Sequence, residues 1–336
     1  MCLGDNNNAT SALKPIRRTS SLLLLTHDSY LIDDIPDKDD ANKHQKGEKK
    51  NLYIHGLGGP PVTSTLVTVA FYVAVLFFLE YLTRLFIAQY AYLDPVLDNE
   101  RNRGILARHI AVDFVSLFMC SYIAITNRHA CKEIIQHGLS YGKSDSMSEE
   151  AFEERVFTYH PGAQRLMVIF FVYQVKNMYD TIYWGDGIEF VFHHIFAGAA
   201  AWGGMYPGYC HFYALFYFGF SEISTAILCL LANFDPEFGV DGLEKVFPKT
   251  KIVLGTLFVT SFIICRLIMW PFTTYYFVKD TLKAIRSDAP RAEGRRGYMW
   301  VILSCCGGLS LIQFVFVAMI YKIGKEEITN FLYPEL

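Results

Sequence analysis

Charge is scarce in this sequence. Asp, Glu, Lys and Arg make up 19% of its 336 residues, against roughly a quarter in soluble domains, while 52% of the chain is hydrophobic and 15% aromatic. That shortage excludes a conventional soluble globule and points to a chain that crosses a bilayer repeatedly. Positive charge is not in excess either. A net charge of −3 and a pI near 6.4 offer no basic field to phosphates, so nucleic acid is excluded as a partner. Cysteine pairing signals are missing: none of the eight cysteines stands in a CxxC pair and most lie inside apolar runs, which reads as small buried thiols and not as a disulfide framework or a zinc site. A convincing signal peptide is absent as well. The run Ser20 to Leu25 is too short for an h-region and is followed by His27 and Asp28, so targeting falls to a transmembrane segment.

What is present begins with a polar arm. Residues 1–61 are rich in Asn, Asp, Lys and Ser without any sustained apolar period, the composition of a disordered segment. Beyond it, apolar runs near the ~20 residues that span a bilayer recur about seven times: Val62 to Leu82, Ile105 to Thr126, Leu166 to Trp184, Ile188 to Tyr206, Phe212 to Leu231, Ile252 to Val278 and Tyr298 to Tyr321. Lipid offers the backbone no hydrogen-bond partner, so runs of this length without two-residue alternation are helices. The predicted fold is an all-α polytopic membrane protein. It divides into the arm 1–61, a first transmembrane helix over 62–84, a six-helix domain over 105–321 and a short tail over 322–336. Only Gly185 to Gly187 separate the third and fourth runs, and Pro207 and Gly208 the fourth and fifth, which predicts that these three helices lie side by side. The small residues of Ala197 to Gly204 invite close helix packing, and Pro271 predicts a kink in the sixth run.

Orientation follows the loops. Seven crossings put the arm, the second-to-third loop with Arg128, Lys132, Lys143, Arg155 and Arg165, and the sixth-to-seventh loop with Lys279, Lys283, Arg286, Arg291, Arg295 and Arg296 on one side. The positive-inside rule makes that side cytosolic. A basophilic phosphorylation pattern at Arg17-Arg18-Thr19-Ser20 agrees, whereas the glycosylation sequon Asn8-Ala9-Thr10 would serve only in a lumen; the charge reading is preferred.

Ionisable side chains are costly within hydrocarbon, so those found there mark a site by default. His193 and His194 sit near the middle of the fourth run and Glu222 within the fifth, flanked by Ser221, Ser224 and Thr225. Asp186, Glu189 and His193 are spaced three and four apart and share a helix face, with His194 about 100° round. Imidazole moves protons near neutral pH, which favours function over packing for the adjacent pair. Glu222 reads as an orienting partner for a histidine or as a carboxylate bonded to nearby hydroxyls, the two readings being even. In the third run Tyr173, Lys176 and Asp180 share one face and Gln174, Asn177 and Thr181 another, the pattern of a polar cavity; Lys176 and Asp180 can also neutralise one another. Arg266 calls for a carboxylate or a lipid phosphate. Arg108, His109 and Asp113, Glu80 with Arg84, and His211 lie near run ends and read as interfacial, while Ser304, Ser310 and Gln313 read as helix-packing hydrogen bonds.

These residues resemble the TLC-domain family, polytopic endoplasmic-reticulum lipid proteins that include ceramide synthases, the translocation-associated TRAM proteins and several lipid-homeostasis proteins. The resemblance covers roughly 105–321. It rests on Tyr179-Asp180, on Phe192-His193-His194, on Ser221-Glu222-Ile223-Ser224-Thr225, and on Arg266 ahead of Pro271. It implies a barrel-like bundle of the last six helices around a lipid-accessible cavity, with one extra span before it. Ceramide synthases carry a His-Asp-x-x-Asp cluster after their histidine pair, where this chain has Ser-Glu-Ile-Ser-Thr; the sequence therefore sits closer to the lipid-homeostasis branch. The chemistry the resemblance implies is acyl transfer from acyl-coenzyme A, as co-substrate, to a lipid amine such as a sphingolipid base. In that reading His193, His194, Glu222 and Asp180 are catalytic, and Lys176, Asn177, Ser224, Thr225 and Arg266 bind substrate, with no metal and no bound cofactor. The basic loop from Lys279 to Arg296 would meet the coenzyme phosphates.

Other classes remain open. A non-enzymatic lipid binder or regulator of membrane composition needs the cavity without the proton donor. A seven-span zinc lipid hydrolase could use Asp186 and His193 as ligands, but catalytic zinc wants three protein ligands and no His-x-x-x-His near the carboxyl terminus completes the set. A seven-helix receptor rests on span number alone, and a fatty-acid elongase box fails at Phe190. The oligomeric state is not legible.

Overall fold

A computed structural model describes residues 59–139, 147, 151–288 and 290–332. The arm over 1–58, with its phosphorylation pattern and its sequon, lies outside the described residues. All seven predicted runs are helical, and no strand occurs among the described residues. The long helices are α1 (Val62–Ala88), α2 (Glu100–Thr126), α3 (Pro161–Trp184), α4 (Ile188–Gly203), α5 (His211–Phe234), α6 (Pro248–Arg286) and α7 (Arg296–Leu332). Five of them, α1, α2, α5, α6 and α7, are long and apolar enough to cross a membrane. The remaining two fall short for different reasons: α3 carries Gln164, Arg165, Gln174, Lys176, Asn177 and Asp180, and α4 has 16 residues. The chain is an all-α, multi-pass membrane protein.

Local chemistry sets the helix ends. Asn99 accepts a hydrogen bond from the Arg101 amide and starts α2 five residues before its apolar run, as an N-cap does. Pro161 and Pro248 occupy the first positions of α3 and α6, where a missing N–H costs nothing. Gly185, at φ 74°, closes α3 in the left-handed conformation that glycine adopts without strain. The segment Ile263–Met269, just before Pro271, widens into a π turn and the helix continues beyond it. The predicted irregularity ahead of Pro271 thus takes the form of a local widening, which relieves the clash between the proline ring and the preceding turn. At the far end α7 runs on to Leu332, so the tail expected after Tyr321 begins as helix.

The last six helices close a ring. Following its perimeter, α2 packs on α3, α3 on α4, α4 on α7, α7 on α6, α6 on α5, and α5 returns to α2; α1 lies outside, against α2 and α3. The hairpin α3–α4 forms as expected, but α5 does not run beside α4. It packs against α3, α2 and α6 instead. The reason lies in the small face of α4, whose far flank takes α7: a side chain at Gly203 would meet Ile302, and the ring of Phe196 sits over Gly308. Meanwhile the turn Gly204–Cys210, with Tyr206 extended and Cys210 at φ 61°, carries the chain across that end of the ring.

Helix ends 126, 161, 203, 211, 286 and 296 share the end of the bundle that is rich in Lys and Arg, here called the basic end. There the short helix Phe152–Phe157 docks on α6. Arg155 grips Asp280 through two bonds of 2.6 and 3.0 Å, Tyr213 donates to the same carboxylate, and all three side chains are buried. His160, just ahead of α3, has its proton affinity lowered by burial. The core above this latch is aromatic, with Tyr213, Tyr217, Trp270 and Phe277 in mutual edge contacts. The cavity on the ring axis here is about 30 Å³, lined by Met167, Ala200, Tyr213, Trp270, Ile302 and Cys306 among others from five of the six ring helices. A space of that size holds about one water molecule, not a lipid.

Candidate functional site

The helical periods that line this cavity continue along the ring axis and become polar. On α4 Ala200 leads back two turns to His193; on α7 Ile302, Cys306 and Leu309 lead on to Gln313. On α3 Met167 leads to Gln174, on α5 Phe218 leads to Glu222, and on α6 Trp270 leads to Arg266. The step is seven residues, about 10 Å, on α4 and α3, and four residues, about 6 Å, on α5, α6 and α7. Five helices therefore place a polar side chain above an apolar floor, in a layer one to two helical turns deep.

The contacts within that layer fix its chemistry. His194 is buried, and its Nδ1 lies 2.6 Å from the Gln174 Oε1. An amide oxygen can only accept, so Nδ1 carries the proton and Nε2 holds the lone pair. His193 packs at 5.4 Å on the His194 ring and at 5.9 Å on Phe316 of α7, and its buried Nδ1 has no hydrogen-bond partner. Glu222 accepts from Arg266 at 3.0 Å and from the Ser221 hydroxyl at 3.3 Å. Arg266 also donates to Thr225 at 2.9 Å and lies 5.0 Å over the Trp270 ring. Arg266 is also near enough for its charge to act on His193.

Toward the other end of the bundle two further charge groups lie buried. Lys176 has no exposed surface; it bonds Asp180 at 2.6 and 2.5 Å and Glu80 of α1 at 2.7 Å, and Glu80 in turn holds Arg84 at 2.5 Å. Two cations and two carboxylates thus neutralise one another between α1 and α3, outside the ring. Beside them Arg108 forks onto Asp186 at 3.1 and 2.5 Å, reaches the Asn177 carbonyl at 3.3 Å and lies 3.8 Å from Asp113. Asn177 donates to the Tyr173 hydroxyl at 2.7 Å, and the Tyr173 ring stands edge-on to His194 at 6.5 Å. Arg108 and Asp186 are near enough to His194 for their charges to act on it.

With this geometry in place, the comparisons with known proteins give one match: the TLC domain, over residues 110–325. The chain belongs to the TLC-domain family. No curated protein and no solved structure matches it. The family gives it a membrane-embedded, lipid-related role. The TLC domain coincides with the ring of α2 to α7, and α1, which carries Glu80, precedes it.

Within the TLC domain the sequence-predicted residues fall into separate clusters. Glu222, Arg266 and Thr225 bond one another, and His193 packs on His194. Lys176 and Asp180 face α1, so Asp180 is committed to a lysine and does not orient an imidazole. Glu222 is likewise committed to Arg266, the carboxylate partner that Arg266 called for, and the orienting bond to His194 comes from Gln174. Ser224 donates to the Ser221 carbonyl inside its own helix at 2.9 Å and has no free donor to offer a substrate. Asn177 is held between Arg108 and Tyr173. Asp186, offered as a zinc ligand, lies in the fork of Arg108, and no three His, Cys, Asp or Glu side chains gather in metal-binding fashion among the described residues.

Three groups read as interfacial are buried against protein, and the expected pair of Glu80 with Arg84 is formed. Arg108, His109 and Asp113 are buried, because the caps at Asp94 and Asn99 start the helical chain earlier than hydropathy does and set Arg108 two turns inside α2. His211 is fully buried, accepting from the His160 amide at 3.1 Å and donating to the Gly204 carbonyl at 3.1 Å. Glu80 is buried too, in contact with Lys176. The Asp94-Pro95 and Asn99-Glu100 pairs were the sequence signal for Arg108; nothing in the sequence singled out Gln174 as the partner of His194.

The Glu222–Arg266 pair gives a direct test of the layer. Replacing Arg266 by glutamine strands a buried carboxylate, and breaking one partner of such a pair costs about 3–5 kcal/mol. The expected result is a clear fall in melting temperature for Arg266→Gln that Glu222→Gln largely restores in the double variant. Equal melting of the wild type and the single variant would remove the pair from the list of stabilising contacts.

Proposed function

We propose that this TLC-domain protein acts in lipid homeostasis at the endoplasmic-reticulum membrane by transferring an acyl group from a coenzyme A thioester to a lipid amine, with His194 as general base. One observation carries the reading: the His194–Gln174 bond, which holds the imidazole as the Nδ1–H tautomer and leaves Nε2 basic. In the reaction Nε2 takes a proton from the amine as its nitrogen attacks the thioester carbonyl. The carbon–sulfur bond then breaks, the imidazolium returns the proton to the departing thiolate, and an amide remains. A neutral imidazole suits this role in a water-poor layer because it starts and ends uncharged. Support for the coenzyme comes from the basic end, where Lys279, Lys283 and Arg286 line an open groove of about 620 Å³ beside Phe152; cations there suit a polyphosphate.

A second reading has its own observation. Glu222 and Asp180 are both neutralised by buried cations, which is what a lipid-binding regulator without catalysis would need for a stable interior. The two are separated by supplying the purified full chain, in lipid nanodiscs, with radiolabelled palmitoyl-coenzyme A and sphinganine. Amide formation that disappears in the His193→Ala/His194→Ala double variant supports acyl transfer. A retained lipid found by mass spectrometry, with no amide formed by the wild type, supports the binder and overturns the enzyme.

A further inference from the structure

The hydrogen bonds around Tyr173 run in one direction. A guanidinium only donates, so the Arg108 contact at 3.3 Å turns the Asn177 carboxamide oxygen toward Arg108 and its nitrogen toward Tyr173. That nitrogen donates at 2.7 Å, and the Tyr173 oxygen accepts. The hydroxyl proton therefore points away from Asn177. Its neighbour on that side is the Cys229 thiol, a weak acceptor, which follows Glu222 and Ala226 at helical spacing along α5. Arg108, Asn177 and Tyr173 are all buried, so no bulk water competes for the proton. The hydroxyl also stands at the depth of the histidine pair. A side chain at Gly198 would lie 3.7 Å from the Gln174 Cβ, and α3 and α4 run antiparallel; His194, one turn before Gly198, is thus level with Asn177, about one turn beyond Gln174. The Tyr173 ring meets His194 directly, edge-on at 6.5 Å.

We propose that Tyr173 is a further catalytic residue, whose hydroxyl donates a hydrogen bond to the acyl carbonyl oxygen while the amine attacks beside His194. The proposal rests on the acyl-transfer reading above and supplies its oxyanion donor. As the amine nitrogen bonds to the carbonyl carbon, the π pair of the C=O bond moves onto oxygen. That oxygen accepts from the Tyr173 hydroxyl without taking its proton. When the carbon–sulfur bond breaks the pair returns, the double bond is restored, and the proton that His194 removed from the amine goes to the thiolate. Asn177 and Arg108 are positioning residues. A hydrogen-bond chain that begins at a cation polarises each link toward its end, and a donor set in advance where negative charge develops lowers such a barrier.

The test uses the full chain in nanodiscs with two probes: labelled palmitoyl-coenzyme A with sphinganine, for rates, and a ketone analogue with a methylene in place of the thioester sulfur, for the infrared carbonyl stretch. Tyr173→Phe keeps the ring and removes only the hydroxyl. It should lower kcat by about 10²–10³, the worth of one oxyanion donor, with little change in KM. The stretch of the bound ketone should rise in the variant, because a hydrogen bond to a carbonyl oxygen weakens the C=O bond. Asn177→Asp keeps the hydroxyl but offers a carboxylate that accepts from both Arg108 and Tyr173, which turns the proton back toward position 177. It should resemble Tyr173→Phe in both readouts, a result that a packing role for the Tyr173 ring does not produce. A kcat or a ketone frequency left at the wild-type value by Tyr173→Phe overturns the inference and leaves transfer by His194 standing. A wild type that forms no amide overturns the acyl-transfer reading and with it the catalytic role; the ketone frequency then decides by itself whether Tyr173 donates to an acyl carbonyl.

Discussion

Replacing Lys176 by methionine is expected to destabilise the chain by about 3–5 kcal/mol, the penalty for removing one partner of a buried ion pair. Lys176 has no exposed surface and lies within 2.7 Å of two carboxylates, Glu80 and Asp180. Without it Arg84 is the remaining cation beside Glu80, and Asp180 is stranded at a depth where lipid or protein, not water, surrounds it. Such a group must either take up a proton or pull its helix toward water. The loss should appear as a sharply lower melting temperature and a reduced monodisperse fraction after detergent extraction. The triple variant Lys176→Met, Glu80→Gln, Asp180→Asn removes charge from both sides and should regain most of the stability, because the cost comes from the unpaired charges and not from the volume of the site. Wild-type melting of the single variant would show that water reaches this cluster and that α1 is not held by it.

On the proposed acyl transfer, replacing His194 by alanine is expected to lower amide formation by a factor of about 10²–10⁴, the usual contribution of a positioned general base. A smaller loss, about tenfold, is expected for Gln174→Leu, since it removes one hydrogen bond to the ring and lets the imidazole exchange tautomers. The conservative Gln174→Glu keeps an acceptor at Nδ1 and should retain most of the rate. A purely structural role for Gln174 would instead make Leu and Glu similar in activity once their stabilities are matched. Initial rates with labelled thioester, alongside melting temperatures for each variant, separate the cases. Asp180→Asn should behave differently from all of these, lowering stability with little specific effect on rate in the protein that remains folded.

Much of the architecture was legible before any coordinates. Seven apolar runs became seven helices, the last six closed around an axis, and the extra helix stayed outside. The histidine pair, Glu222 and Arg266 were marked by the cost of placing ionisable groups among apolar neighbours, and that cost does not depend on the details of packing. What stayed hidden lay where hydropathy is a poor guide. The burial of Arg108 and Asp113 against protein was not legible because a hydropathy window trims charged turns from helix ends, even when a capping residue such as Asn99 extends the helix. The predicted neighbourhood of α4 and α5 failed because a short connection limits the distance between helix ends but leaves the chain free to swing across the ring.

The partnerships were beyond the sequence. Lys176 and Asp180 announced each other by lying four residues apart on one helix. Glu222 and Arg266 lie 44 residues apart, Arg108 and Asp186 78 apart, and Gln174 and His194 20 apart on different helices. Helical periodicity states which face a residue occupies, but not which helix will come to meet that face. By itself the sequence determined that the chain is helical, spans a membrane and buries an unusual set of polar groups. Only the tertiary structure decided which of those groups neutralise one another as scaffold and which stay open for chemistry, because hydrogen bonding and ion pairing act over about 3 Å and only the closing of the ring sets distances that short.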